Sequence, residues 1–343
     1  MKSFRNFLLQ FVLYIMLGLL CFGLYKLFVE YYKYPMPSLS QGDIPQSTID
    51  WFNGIWGDTS DIGGILAPDT IEPSEWIRYD SINNMFCLED SLFMIFYSPK
   101  DSVVEHKKAL ICQRYAHEAV PLGEKFMKNY PYPSQLNGRK LPIYLAETVE
   151  DFRGICNQLG HGDPGTWAIG LYCFQYGADK VYTDGIIISP QAWGVADVLI
   201  EPTTQDEDFK QVLWHEMNHF MYFTNWDYTQ TSEPCMWFYE GLAEYFAGNY
   251  ERLREVSNYN ILNLTDNFRG GGNTEYWAGL SAYLCLEKNF DKSIVSNVVT
   301  NSYKHSVDES VKMSISGYSL AIWNDQWHTF MKNGEYRNYK EPC

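Results

Sequence analysis

The chain has 343 residues, of which 46% are hydrophobic and 20% charged. These proportions exclude a disordered chain and leave room for one large or two small folded domains. A formal charge of −16 argues against nucleic acid as partner, because a phosphate backbone is held by Lys and Arg clusters and none is evident.

Residues 7–25 are almost wholly apolar, with Gln10 the one strongly polar side chain. That is close to the ~20 residues a helix needs to cross a bilayer. A cleaved signal peptide has a shorter apolar part and ends in a small-x-small site. This segment instead leaves through Leu24-Tyr25-Lys26-Leu27-Phe28. The reading favours an uncleaved, single-pass membrane anchor within residues 1–30. Lys2, Arg5 and the terminal amine precede the segment, and Lys26 and Lys33 follow it. The positive-inside count therefore leans to N-terminus-in by about one charge, with the rest of the chain extracytoplasmic. Residues 31–75 carry Pro35, Pro37, Pro45, Pro68 and Pro73 among several glycines and read as a juxtamembrane linker. A globular domain is expected over residues 76–335.

Within that domain, residues 91–97 read as a strand and 101–128 as a long helix with a bend at Pro121. Residues 141–146 read as a second strand and 149–159 as a helix. Residues 168–175 and 185–189 are two further strands, joined through a polar turn at Asp184-Gly185. Next comes a helical pattern over 206–223, with Phe209, Val212, Leu213 and Phe220 at helical spacing. Thr204-Gln205-Asp206-Glu207 has the form of a capping box and follows Pro202, so this helix is expected to begin near Thr204. Residues 237–246 read as another helix, with Pro234 suited to its first turn and Gly248 to its end. Gly270-Gly271-Gly272 reads as a linker, Tyr276 opens another helix, and 314–331 is expected to be a final amphipathic helix carrying Trp323 and Trp327. The fold class expected is α+β, a mixed sheet followed by a mostly helical lobe.

The chemistry concentrates in His215-Glu216-Met217-Asn218-His219. Two histidines at i and i+4 of a helix lie about 40° apart around its axis and about 6 Å apart along it. Both imidazoles can reach one ion, and Zn2+ suits neutral imidazole and carboxylate donors. Glu216 is turned a further ~100°, off the two-ligand face but within reach of a water on the metal. That is the general-base position of H-E-x-x-H metallopeptidases. Such an enzyme needs a third protein ligand and one open position. Glu240 lies on the next helix, where Gly241 and Ala243 are small enough for two helices to approach closely.

His215-Glu216-x-x-His219 followed by Trp237-x-x-Glu240-Gly241-x-Ala243-x-Tyr245 resembles the gluzincin metallopeptidases, and Glu-Gly-Leu-Ala-Glu-Tyr-Phe is similar to the peptidase-MA-like group among them. The resemblance covers roughly residues 209–246. It implies a thermolysin-like catalytic fold, zinc held by His215, His219 and Glu240, and Glu216 as catalytic base. It implies that Tyr276, matching with Gly279 a Tyr-x-Lys-Gly segment in which Ala278 replaces the Lys, stabilises the oxyanion. It also implies that the strand before the motif helix, residues 185–189 here, borders the cleft and pairs with a peptide substrate as a sheet edge does. Glu244, one turn beyond Glu240, is a candidate partner for a ligand histidine; a solvated carboxylate is an equally open reading. No Gly-x-Met-x-Asn segment of the aminopeptidase-N-like enzymes is present, so endopeptidase activity is the default. The metzincin positions hold Tyr222 and Asn225 instead of Gly and His. His161 reads as a surface-loop residue.

The 8 cysteines include no C-x-x-C pair, which disfavours a cysteine zinc site; disulfides stay open for an extracytoplasmic domain. The rival to a membrane-anchored zinc peptidase is an inactive, membrane-tethered binding domain that keeps the fold.

Overall fold

The computed structural model describes residues 77–80, 85–100, 102–165, 168–178, 180–193, 202–265 and 273–339. All belong to one unit, Glu72–Cys343. The expected anchor at 7–25, the linker at 31–75 and Gly270-Gly271-Gly272 lie outside the described residues. No described helix is long and apolar enough to cross a membrane.

The chain opens with strands β1 (Ile77–Asp80), β2 (Met85–Glu89) and β3 (Phe93–Tyr97), followed by helix α1 (Ser102–Met127). Then come β4 (Leu141–Leu145), α2 (Val149–Gln158), β5 (Gly170–Tyr176) and β6 (Val181–Ile188). The remainder is helical: α3 (Pro202–Asn225), α4 (Met236–Ala247), α5 (Thr274–Asn289), α6 (Lys292–Asn301), α7 (Val307–Ser314) and α8 (Leu320–Lys332). The α+β order expected from the sequence is therefore present, a mixed sheet and then a helical lobe.

The six strands run in the order β1-β2-β3-β4-β6-β5. β3, β4 and β6 pair in parallel, and the outer pairs are antiparallel. Alternate side chains serve two cores, as a pleated strand dictates. Phe93, Ile95, Ile143, Ile186 and Ile188 face the large core shared with α1 and α3. Phe96, Tyr144 and Ile187 face a smaller core with Phe152 and Ile155 of α2.

This strand order corrects one expectation. β6 lies between β4 and β5, hydrogen-bonded on both sides, so it is not a sheet edge with which a peptide could pair. Its run Ile186-Ile187-Ile188 is apolar throughout because both of its faces are covered. On this side the sheet ends, among the described residues, at β5, whose burial fades along the strand until Tyr176 is 54% exposed.

Other boundaries shift for local reasons. α1 runs through Pro121 as a single helix. α3 starts at Pro202, where a residue without an N–H suits the first helical position. Gly248 ends α4 in the left-handed conformation (φ 70°) that glycine adopts freely. The expected helix over 314–331 is two elements. Ser314 ends α7, Gly317 turns the chain at φ 74°, and the Ser319 side chain caps α8 by accepting from the Ile322 N–H.

α4 and α5 touch backbone to backbone. A Cβ on Gly241 would lie 2.2 Å from Gly279 Cα, and one on Gly279 would lie 1.9 Å from the Trp237 carbonyl oxygen. The close approach expected at Gly241 is therefore made with α5 and not with the motif helix. Tyr283 ties the same pair by donating from its hydroxyl to the Phe238 carbonyl at 3.1 Å. Gly279→Ala is expected to cost about 1–3 kcal/mol of stability, the range for overpacking a filled core. Chemical denaturation measures it; a stability equal to wild type would show that the helices separate freely.

Candidate metal centre

His215 and His219 sit one turn apart near the middle of α3. That helix is held by Phe209, Leu213, Met217 and Phe220, all fully buried. Its Trp214 indole donates to the Tyr115 carbonyl on α1 at 2.9 Å. Glu240 enters from α4. His215 Nε2 lies 3.1 Å from Glu240 Oε2, His219 Nε2 lies 3.3 Å from the same oxygen, and the two Nε2 atoms are 3.0 Å apart. The three expected ligand residues therefore converge on one point, as a group that could hold a metal ion.

The electrostatics favour a cation there. Burial alone would lower the His215 pKa, but its hydrogen bond with Glu240 and the charges of Glu244, Glu216 and Glu240 raise it to about 9. Burial would raise Glu240, yet the His219 charge and hydrogen bonds from both histidines hold its carboxyl at about 2. A field of this kind draws positive charge, whether a proton or a metal ion.

Glu216 lies against β5. Its carboxyl is buried, and that burial raises its pKa; the His215 and His219 charges work against the shift. A Cβ at Gly170 would stand 2.7 Å from Glu216 Oε1 and 2.9 Å from Val212 Cγ1. Only a glycine leaves this much room between the edge strand and the motif helix.

Tyr276 stacks on His215, with ring centroids 5.9 Å apart and planes at 24°. Burial, followed by the charges of Glu240, Glu216 and Glu244, raises its pKa, so the phenol keeps its proton. Glu244 is buried behind His215, with Oε1 at 3.6 Å from Nδ1. The same oxygen accepts from Arg252 Nε at 3.1 Å, and the Arg252 guanidinium lies 5.3 Å from the Tyr276 ring centre. Glu244 is thus tied into the site and is not a solvated carboxylate. Arg252 and Gly170 escaped the sequence reading. Arg252 lies on a 3-10 turn (Tyr250–Glu255) whose pairing with Glu244 has no spacing signature, and Gly170 at a strand start resembles any turn glycine.

His161 is not in the metal group; its Nε2 pairs with Asp184 Oδ2 at 2.9 Å. The six described cysteines form no disulfide and are all buried, so they pack as small apolar side chains. No family model matches this chain, and no curated protein matches it either.

His219→Ala is expected to lower the metal content of the purified protein at least about tenfold, the scale on which metal sites respond to lost partners. His161→Ala should leave it unchanged. Elemental analysis by mass spectrometry reads both, and equal metal in His219→Ala and wild type would dismiss this centre.

Proposed function

We propose that the domain is a zinc metallopeptidase of the gluzincin kind. In this reading it is tethered to a membrane through residues 7–25 and cuts peptide bonds within extended substrates. The observation that carries the proposal is the triangle of His215 Nε2, His219 Nε2 and Glu240 Oε2, with sides of 3.0–3.3 Å. Tetrahedral zinc with bonds of ~2.0–2.1 Å needs neighbouring donor atoms about 3.3 Å apart. The donor set, two imidazoles and a carboxylate, also suits zinc better than magnesium or calcium, which take oxygen ligands. Zinc held by these residues would supply a water acidified to a pKa of about 7 and a Lewis acid for the substrate carbonyl.

The protein's own side chains do the rest. Glu216 accepts the proton of the attacking water and returns one to the leaving amine nitrogen. A carboxyl whose proton affinity is raised by burial is a stronger acceptor for the water's proton than an ordinary carboxyl. Gly170 lets the β5 main chain lie directly against Glu216, so a peptide pairing with that free edge brings its carbonyl to the base. The Tyr276 phenol donates a hydrogen bond to the oxygen on which negative charge develops. Glu244, backed by Arg252, fixes the ring of His215. The buried position of Glu216 beside three converging ligand residues favours catalysis over an inactive binding domain.

Glu216→Gln is expected to keep stoichiometric zinc while kcat/KM for peptide hydrolysis falls at least about 100-fold. A fully active variant would remove Glu216 from the mechanism. Tyr276→Phe is expected to keep zinc and lose about 10²–10³ in kcat with KM little changed, as for loss of one oxyanion donor. Steady-state kinetics with an unaltered kcat would exclude the phenol.

A further inference from the structure

The edge strand carries rings on the face it turns toward α3. Tyr172, Phe174 and Tyr176 alternate along β5, and the first two stack at 5.4 Å. From the ligand His219 an unbroken series of ring contacts leads outward. Tyr239 meets His219 at 5.7 Å and Phe223 at 5.3 Å. Phe223 stacks on Phe174 at 5.0 Å, and Phe174 meets Tyr176 edge-on at 5.4 Å. Tyr176 then contacts Trp226 and Tyr228 at 6.2 and 5.5 Å. Phe223 and Trp226 are buried, whereas Tyr239, Phe174 and Tyr228 are half-buried and Tyr176 is 54% exposed. The series starts at the metal group and follows the strand away from Gly170, on one side of the site only.

We infer that this aromatic wall is the specificity surface of the site and takes a large apolar or aromatic side chain of an extended peptide. The inference rests on the peptidase reading. A peptide paired with the β5 edge advances ~3.4 Å per residue and turns alternate side chains toward the wall. A residue within about three positions of the scissile bond therefore reaches it.

The test compares zinc-loaded wild type with Tyr176→Ser on a peptide library, then on two peptides that differ only by Phe or Ala at the preferred position. Wild type should select Phe, Tyr or Leu at a fixed position on one side of the cleaved bond. Tyr176→Ser should lose about tenfold in kcat/KM on the Phe peptide, the scale of a lost apolar contact, and keep its rate on the Ala peptide. No apolar preference, or equal losses on both peptides, would overturn the inference. Binding of the same peptides to zinc-loaded Glu216→Gln, followed by fluorescence polarisation, reads the wall without turnover. Tighter binding of the Phe peptide, abolished by adding Tyr176→Ser, supports it, and equal binding of both peptides overturns it. Absence of hydrolysis by wild type alongside selective binding would sink the peptidase reading and leave the wall standing.

Discussion

The crossing of α4 and α5 is the constraint from which the site follows. Two glycines face each other there with no space for a methyl group on either. Gly241 is the residue after Glu240, and Gly279 lies one turn beyond Tyr276. The contact that brings the helices to backbone distance therefore sets how far Glu240 reaches toward α3 and where the Tyr276 ring meets His215. Side chains that act on one point are here positioned by main-chain atoms, which have no rotamers to lose. Fully buried aromatic residues around the crossing, Trp237, Tyr283 and Trp323, keep the pair from sliding.

Charge is the second constraint. Glu216, Glu240 and Glu244 are all buried within one small region, a costly arrangement unless positive charge is near. Arg252 answers for Glu244, and the two histidines with Glu240 form a place for a cation. The division is useful chemically. Glu244 stays committed to Arg252 and the back of His215, while Glu216 is left to the β5 side, where it holds its proton more firmly than an ordinary carboxyl does.

Much of this was legible in the sequence because it is local. The i, i+4 spacing of His215 and His219 fixes their common direction on any helix, and Gly248 marks the end of α4 by its backbone freedom alone. What failed was non-local. Strand order depends on pairings between distant segments, so β6 was expected at the cleft although its unbroken isoleucines are the mark of a strand covered on both faces. The short strands β1 and β2 were missed, since four or five residues carry too little alternation to stand out. Gly241 was read as a place where the two motif helices approach, whereas it meets Gly279 of α5, which nothing in the spacing named. The 314–331 segment kept its apolar periodicity across a break, and only Gly317 and the Ser319 cap betray two helices.

The open edge of β5 has a cost for the folded protein as well as a use. A strand with no strand partner on one side among the described residues is a template on which a second copy of the same strand can add, which makes it a starting point for self-association. Two features shorten that template. Across the Cys173/Phe174 step the pairing skips Asp184 of β6, breaking the regular ladder and increasing local twist. Beyond it, the Tyr228 hydroxyl donates to the Gly177 carbonyl at 2.5 Å, closing off the far end. The stretch left to accept another strand is short, long enough for a passing chain and too brief to seed a continuous sheet.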